Sequence, residues 1–250
     1  MLFRSQDLSY VEKAFKEAKT LPIYILKSTV LPGTTESLSK KFKNLKIVFS
    51  PEFLTERSAK LDMLTQSRII LGGEISLTDK VKKLFEKRFK LKNIIQTDSK
   101  TAELIKYMNN TFFATKVSIM NEFKLISDKI GTNWDDALNG FVSDGRIGDS
   151  HLNVPGHDGM LGYGGTCFPK DINSLHHQFK KTNVNSIILN SVIDRNENYD
   201  RKSLDWMNNK GRAVSNYQQL RNYIVTGGAG FIGSHLCKKL DRKSTRLNSS

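Results

Sequence analysis

Short apolar runs alternate with amphipathic segments along the first hundred residues. Four of these runs have the length and composition of buried strands, and they cover residues 23–30, 46–51, 67–73 and 93–98. Three segments with apolar residues at helical spacing accompany them, over residues 7–19, 33–42 and 76–90. Strands that alternate with helices predict an α/β fold with a parallel sheet.

The pattern changes at Ser99, where one long helical segment begins. Residues 99–131 contain no proline, and no glycine before Gly131. A helix of about 30 residues spans roughly 45 Å. Further helices are predicted over residues 133–143, 169–181 and 186–209, with a glycine-rich loop at 144–166. The second half of the chain is therefore predicted to be mainly helical.

Composition narrows the classes of protein that fit. Two cysteines, Cys167 and Cys237, are too few for a disulfide scaffold or a cysteine-rich zinc site, so we expect no metal and a reduced, cytoplasmic setting. The net charge of +14 comes from lysines spread along helices, and no nucleic-acid-binding module accompanies it. No apolar run approaches the roughly 18 residues of a membrane span. We therefore expect neither nucleic acid nor a membrane as partner.

Two pairs of polar residues have spacings that suit catalysis. Glu52 and Glu56 follow a predicted strand, where ligands bind in open α/β sheets, and two carboxylates there could share acid/base work. Solvated glutamates at a helix start are the alternative. Lys106 and Asn110 lie one turn apart on the long helix and could hold an oxyanion or orient a water. An exposed helix face is the alternative for this pair.

Cys167 is the strongest single candidate for chemistry. It follows a glycine turn and precedes a helix that starts with Pro169, in the segment GGTCFPKD. A helix N-terminus favours a thiolate, and Lys170 adds positive charge. These surroundings suit a nucleophile, whereas a small buried cysteine is the structural alternative.

Four segments, in this order, resemble the UDP-glucose/GDP-mannose dehydrogenase family. They are KSTVLPGTT at 27–35, SPEFLTERSA at 50–59, AELIKYMNNTFFATKVSIMNE at 102–122 and GYGGTCFPKD at 162–171. Together with RIGDSHLNVPGHDG at 146–159, they are most similar to members that act on UDP-glucose, with GDP-mannose and UDP-N-acetylmannosamine as alternative substrates. The resemblance implies the C-terminal part of a Rossmann-like parallel sheet over 1–98, followed by a mainly helical central dimerisation domain over 99–210.

The resemblance also implies the chemistry, an NAD-dependent, four-electron oxidation of the C6 alcohol of UDP-glucose to a carboxylate. Cys167 is expected to be the nucleophile that forms a thiohemiacetal and then a thioester. The other catalytic residues that it implies serve the oxyanion, the water and the acid/base steps, and they are Lys106, Asn110, Asp171, Glu52 and Thr29.

Ligand-binding residues are implied in the same way. Thr29, Glu56 and Lys170 are expected to approach NAD, and Arg146 to reach the substrate phosphate from a neighbouring subunit. The residues expected to hold the UDP-sugar are Phe53, Leu54, Gly156, His157, Asp158, Gly159, Met160 and Gly164. A homodimer is expected through the long helix 99–131.

The ends of the chain depart from the family pattern. No glycine-rich dinucleotide motif precedes the strand at 23–30, and the match ends near residue 210, so we expect a fragment that is inactive alone. Residues 211–240 are expected to form a truncated strand, glycine turn and helix, of which 222–240 resembles the start of an NAD-dependent epimerase/dehydratase. The tail 241–250 resembles a translated cloning or sequencing adapter, and we expect it to be non-native. A non-catalytic dimerisation module and a shortened dehydrogenase–epimerase fusion are the alternative interpretations.

Overall fold

The computed structural model describes residues 8–18, 23–54, 62, 67–89 and 93–208. These residues divide into two compact units, which we call the sheet unit (residues 8–106) and the helical unit (residues 107–208). The glycine motif at 222–240, the tail at 241–250 and Glu56 lie outside the described residues.

One four-stranded sheet, in the order β1-β2-β3-β4, organises the sheet unit. Its strands are β1 (Tyr24–Leu26), β2 (Ile47–Phe49), β3 (Ile69–Gly72) and β4 (Ile94–Thr97). The four predicted strands and the α/β class are confirmed, and each strand is shorter than its apolar run. The pairs β1–β2 and β3–β4 are parallel, but β2 and β3 pair antiparallel at Phe49 and Gly72. The expectation of a wholly parallel sheet is therefore wrong at this pair, because periodicity fixes which residues form a strand and not its direction.

Both faces of the sheet are covered. Helices α1 (Ser9–Lys16) and α2 (Thr34–Lys41) contribute Val11, Phe15 and Leu38 to one core cluster, and α3 (Ile75–Arg88) contributes to the other. Successive side chains of a strand point to opposite faces. The residues of β2 follow this rule, since Ile47 and Phe49 belong to the first cluster and Val48 to the second.

A buried carboxylate holds the start of α2. Glu103, fully buried, accepts hydrogen bonds from the backbone N–H groups of Gly33 (2.6 Å) and Thr35 (2.7 Å) and from the Thr35 hydroxyl (2.6 Å). Gly33 precedes the helix with a φ of 93°, which favours glycine. Burial raises the pKa of Glu103, although these donors favour its charged form.

Helix α4 (Ser99–Ile130) confirms the long helix predicted from Ser99 and runs from the sheet unit into the helical unit. The helical unit also contains α5 (Trp134–Val142), α6 (Phe168–Lys181) and α7 (Ile187–Arg195). A π-helix (Asn196–Asp200) and a 3-10 helix (Asp205–Asn208) follow α7. Among the described residues, no helix is both long enough and apolar enough to cross a bilayer.

The single helix predicted over 186–209 is wrong. Beyond Arg195 the α-helix changes to a π-helix, in which the N–H of Arg201 donates to the carbonyl of Asn196, five residues earlier, at 2.8 Å. The side chain of Asn196, fully buried, pairs with both backbone groups of Tyr163, at 2.8 and 3.0 Å. A partner distant in sequence therefore sets the backbone here, and local periodicity does not contain this information.

Candidate active site

The first group of candidate residues lies at the carboxyl ends of β1 and β2. Because these strands are parallel, the chain leaves both at the same edge of the sheet. Lys27 directly follows β1, and its ammonium lies 3.3 Å from Glu52 Oε2 and 3.5 Å from Ser50 Oγ. Glu52 Oε2 is buried, and the side chain is 20% exposed. A lysine–carboxylate pair thus occupies the edge where open α/β sheets bind ligands.

Lys106 brings a second ammonium to the same segment. Its Nζ donates to the backbone carbonyl of Glu52 at 2.5 Å and lies 5.3 Å from the centre of the Phe53 ring. The Arg68 guanidinium lies 5.0 Å from the same ring centre. Lys106 is buried, so an exposed helix face is the wrong interpretation for this residue. Its charge is held beside Glu52 and the aromatic ring.

The remaining candidates of the sheet unit flank this group. Thr29 lies half-buried three residues after β1. Phe53 packs against the core cluster on one side of the sheet, and Leu54 against the cluster on the other side. The segment that follows β2 is therefore anchored on both faces of the sheet.

Cys167 caps the N-terminus of α6 in the helical unit. It is exposed, which excludes the alternative of a small buried cysteine. The hydroxyl of Thr166 lies 3.7 Å from its sulfur, and the backbone N–H of Asp171 donates to its carbonyl at 2.9 Å. The first turn of a helix has unpaired N–H groups and the positive end of the helix dipole. Accessibility and helix position together suit a nucleophile.

A buried polar cluster stands one turn along α6 from Cys167. Asp171 is almost fully buried, and its Oδ2 accepts a hydrogen bond from Asn110 Nδ2 at 2.5 Å. Its Oδ1 forms an ion pair with Lys170. Asn110 is buried as well, so the exposed-face alternative is also wrong for this residue. The structure therefore places Asn110, Lys170 and Asp171 in one hydrogen-bonded group, one turn along α6 from Cys167.

The glycine-rich loop before Cys167 has a compact shape. Gly156 N–H donates to the carbonyl of Met160 at 2.8 Å, and Met160 N–H donates to Asp158 Oδ1 at 3.1 Å. Gly159 has a φ of 74°, which favours glycine. His157 is exposed on this loop. The ligand-binding residues expected at 156–160 thus form one tight turn.

The side chain of Arg146 contacts Asp144. Its guanidinium binds both carboxylate oxygens of Asp144, at 2.9 and 2.5 Å, and its side chain is 89% exposed. The hydrogen bonds that Arg146 donates to Asp144 raise the pKa of Arg146 and lower that of Asp144.

Three contributors were not singled out from the sequence, namely Lys27, Arg68 and Arg201. Lys27 lies within the KSTV segment at a strand end, which is a signal that could have identified it. Arg68 carries no local signal, because its partner Phe53 is distant in sequence. Arg201 has a local partner in Asp205, but its contact with Asp158 spans 43 residues and leaves no local signal.

Two family models match the chain. The NAD binding domain of the UDP-glucose/GDP-mannose dehydrogenase family matches residues 3–90, and the central domain of the same family matches residues 100–198. The first match supports NAD as the cofactor.

Individual relatives agree with these matches. The UDP-glucose 6-dehydrogenase of Campylobacter jejuni is 36% identical over 197 residues, covering 78% of this chain and 48% of the relative. That of Rickettsia conorii is 33% identical over 207 residues, covering 80% and 47%. A UDP-glucose dehydrogenase structure from Pyrobaculum islandicum matches with a TM-score of 0.68 and 29% identity, covering 77% and 46%. The chain therefore spans about half the length of the curated relatives it matches.

Proposed function

The chain belongs to the UDP-glucose/GDP-mannose dehydrogenase family, and we propose that its residues carry the NAD-dependent, four-electron oxidation of UDP-glucose to UDP-glucuronate. The observation that carries the proposal is Cys167, an accessible thiol at the N-terminus of α6 with a buried Asn110–Asp171 pair one turn away. A structural cysteine needs neither feature.

Cys167 acts after the first oxidation. Loss of a hydride from C6 and a proton from its hydroxyl gives an aldehyde. The Cys167 sulfur adds to the aldehyde carbon, and the aldehyde oxygen takes a proton, which gives a thiohemiacetal. Loss of a second hydride and of the hydroxyl proton gives a thioester on Cys167. Water then adds to the thioester carbon, and C–S cleavage releases the carboxylate and restores the thiol.

Lys106, Asn110 and Asp171 stabilise the charge that develops on the C6 oxygen and orient the water. A buried ammonium and a buried amide suit this role, since donors in a low-dielectric site bind an oxyanion more strongly than water does. The bond from Asn110 Nδ2 to Asp171 fixes the amide in one rotamer, so it needs no reorganisation during the reaction.

Glu52 activates the hydrolytic water, with Thr29 placing it. A carboxylate acts as a general base when it lies within hydrogen-bond reach of the water. Lys27 and the contact of Lys106 with the Glu52 carbonyl restrict where the Glu52 carboxylate lies. Both contacts support this assignment for Glu52.

The residues present fit a nicotinamide cofactor. Thr29 lies just past the carboxyl end of β1, at the edge where dinucleotides bind in such sheets, and the ammonium groups of Lys27 and Lys106 near this edge suit an anionic ligand. We propose that Thr29, Glu56 and Lys170 approach NAD, which, when bound, accepts the hydride in both oxidations.

The nucleotide sugar is proposed to lie along two segments. Phe53 and Leu54 form the first, and the second comprises Gly156, His157, Asp158, Gly159, Met160 and Gly164. The exposed Arg146 is proposed to reach the phosphates of a sugar bound to a neighbouring subunit. UDP-glucose is preferred over GDP-mannose because the curated relatives named above bear the name UDP-glucose 6-dehydrogenase.

The test measures turnover and, in the same samples, the protection of the Cys167 thiol from labelling. The purified chain is incubated with NAD and, in turn, UDP-glucose, GDP-mannose and UDP-N-acetylmannosamine, and formation of NADH and of the sugar acid is measured. The rate of iodoacetamide labelling at Cys167 is followed by peptide mass spectrometry, which separates it from Cys237. We expect UDP-glucose to protect Cys167, and Cys167→Ser to form no covalent intermediate. Neither turnover nor protection with any of the three sugars would overturn the proposal.

A homodimer is proposed through the long helix 99–131. Helix α4 exposes Leu104, Met108, Phe112, Ile119 and Phe123, and their steps of four or seven residues keep one face apolar. A continuous exposed apolar face of this kind is typical of a contact surface between proteins. The occupant proposed is a second copy of this chain.

A further inference from the structure

One buried arginine of the helical unit is paired with two carboxylates. Arg201, 3% exposed, follows the π-helix, and its Nη2 donates to Asp158 Oδ2 at 2.7 Å. Its Nε and Nη2 donate to the two oxygens of Asp205, at 2.5 and 2.9 Å. The hydrogen bonds that Arg201 donates to Asp205 raise the pKa of Arg201 and lower the pKa of Asp205. The guanidinium therefore joins the turn at 156–160 to the 3-10 helix at Asp205–Asn208.

The glycine-rich loop is fitted to this arginine. A Cβ at Gly164 would come closer than 3.0 Å to three atoms of the Arg201 guanidinium group. A Cβ at Gly162 would meet Asn196 Oδ1 at less than 3.0 Å. Glycine at 162 and 164 lets the backbone three and five residues before Cys167 approach the segment 196–201 this closely. The glycine-rich loop therefore packs closely against residues 196–201.

Asp158 has no oxygen without a protein donor. Its Oδ1 accepts from Met160 N–H at 3.1 Å, and its Oδ2 accepts from Arg201. Burial alone would raise the pKa of Asp158, but the hydrogen bonds and charge of Arg201 and the Met160 N–H lower it. The carboxylate is therefore ionised and bound at neutral pH. These contacts give the Asp158 carboxylate a role in holding the loop.

We infer that Arg201 is a positioning residue, which holds the turn at 156–160 and the glycine backbone before Cys167 in the arrangement that receives the nucleotide sugar. The inference rests on the proposed function for the identity of that ligand. Asp158 acts through Arg201, and Asp205 fixes the guanidinium. Arginine is required because its planar fork serves two carboxylates at once, whereas a lysine ammonium is a point charge without fixed donor directions.

The inference is tested with Arg201→Lys, Arg201→Gln and Asp158→Asn, with Lys124→Gln as a matched control. Lys124 forms a surface ion pair with Asp128 on α4 of the same unit. Circular dichroism first establishes that each variant folds, and all measurements are made well below the lowest melting midpoint. The dissociation constant of UDP-glucose and the labelling rate of Cys167 are then measured.

We expect each Arg201 variant and Asp158→Asn to weaken UDP-glucose binding about tenfold or more, the order expected for one charge-assisted hydrogen bond. Arg201→Gln combined with Asp158→Asn should weaken binding no further than Arg201→Gln alone, because the two residues act as one unit. The control should bind as the parent does. If the Arg201 variants melt earlier but keep the parent's affinity and labelling rate, the arginine is merely structural and the inference is overturned.

Hydrogen exchange separates this inference from the proposed function. If the parent chain binds no UDP-glucose, the proposed function fails, but the loop can still be measured. We expect Arg201→Lys to raise amide exchange over residues 156–165 about tenfold, with no change in α7. Unchanged exchange in the loop would overturn the inference whatever the ligand.

Discussion

Replacing Asn196 by alanine should destabilise the helical unit selectively. The Asn196 side chain is fully buried, accepts from the N–H of Tyr163 at 2.8 Å and donates to the carbonyl of the same residue at 3.0 Å. Asn196→Ala leaves the N–H and the carbonyl of the buried residue Tyr163 without these partners. Each buried group left without a partner costs about 1–3 kcal/mol. We expect a loss of about 3 kcal/mol in the free energy of unfolding, a large part of the roughly 5–15 kcal/mol typical of a domain.

A neighbouring asparagine supplies the control. Asn198 is exposed, and its amide donates to Asp194 at 2.8 Å on the same helical surface. Asn198→Ala should cost less than about 0.5 kcal/mol, as for most surface substitutions. The assay is urea unfolding followed by tryptophan fluorescence. Both tryptophans of the chain, Trp134 and Trp206, belong to the helical unit, so the signal reports on this unit alone.

Equal unfolding midpoints for Asn196→Ala and Asn198→Ala would refute the reasoning. Asn196→Asp gives a second check through pH. A carboxylate cannot donate to the Tyr163 carbonyl, but the protonated acid can, so the folded state should bind the proton more tightly than the unfolded state does. The stability of this variant should then fall more steeply than that of the parent as pH rises through the titration of the new carboxyl.

Three further predictions concern the sheet unit and α4. If the chain turns over UDP-glucose, Lys27→Met should lower the rate about tenfold or more by releasing the Glu52 carboxylate, the scale of one general-base contribution. Lys43→Met on the exposed surface should leave the rate unchanged, and equal rates for the two variants would contradict the assignment. Because burial raises the pKa of Glu103, the contribution of Glu103 to stability should decrease as pH rises above its ordinary value of 4.5. Urea midpoints measured by circular dichroism, which reports on both units, should show this slope against pH, and Glu103→Gln should reduce it. Phe112→Asp should shift the mass measured by light scattering from dimer to monomer, whereas Lys83→Glu on α3 should leave it unchanged, and a parent that is already monomeric would refute the proposed interface.

The candidate site was predictable in its residue types but not in its environment. The spacing of Lys106 and Asn110 indicates a shared face of a helix, and this holds equally for an exposed face and a buried one. Their burial depends on partners 54 and 61 residues away, the Glu52 carbonyl and Asp171. In the same way, nothing in the segment around Cys167 distinguishes a buried thiol from an exposed one. Burial of a polar group is a property of what packs on it, and no local pattern contains that.

The sequence by itself determined the elements whose signal is local. The apolar runs mark all four strands, and the absence of proline and glycine after Ser99 marks the long helix, because periodicity and backbone freedom act over a few residues. Tertiary structure alone decided the antiparallel pairing of β2 with β3, the break after Arg195 and the pairing of Arg201 with Asp158. Each of these depends on hydrogen bonds between segments that only folding brings together, and their free energy outweighs the local preference of the backbone.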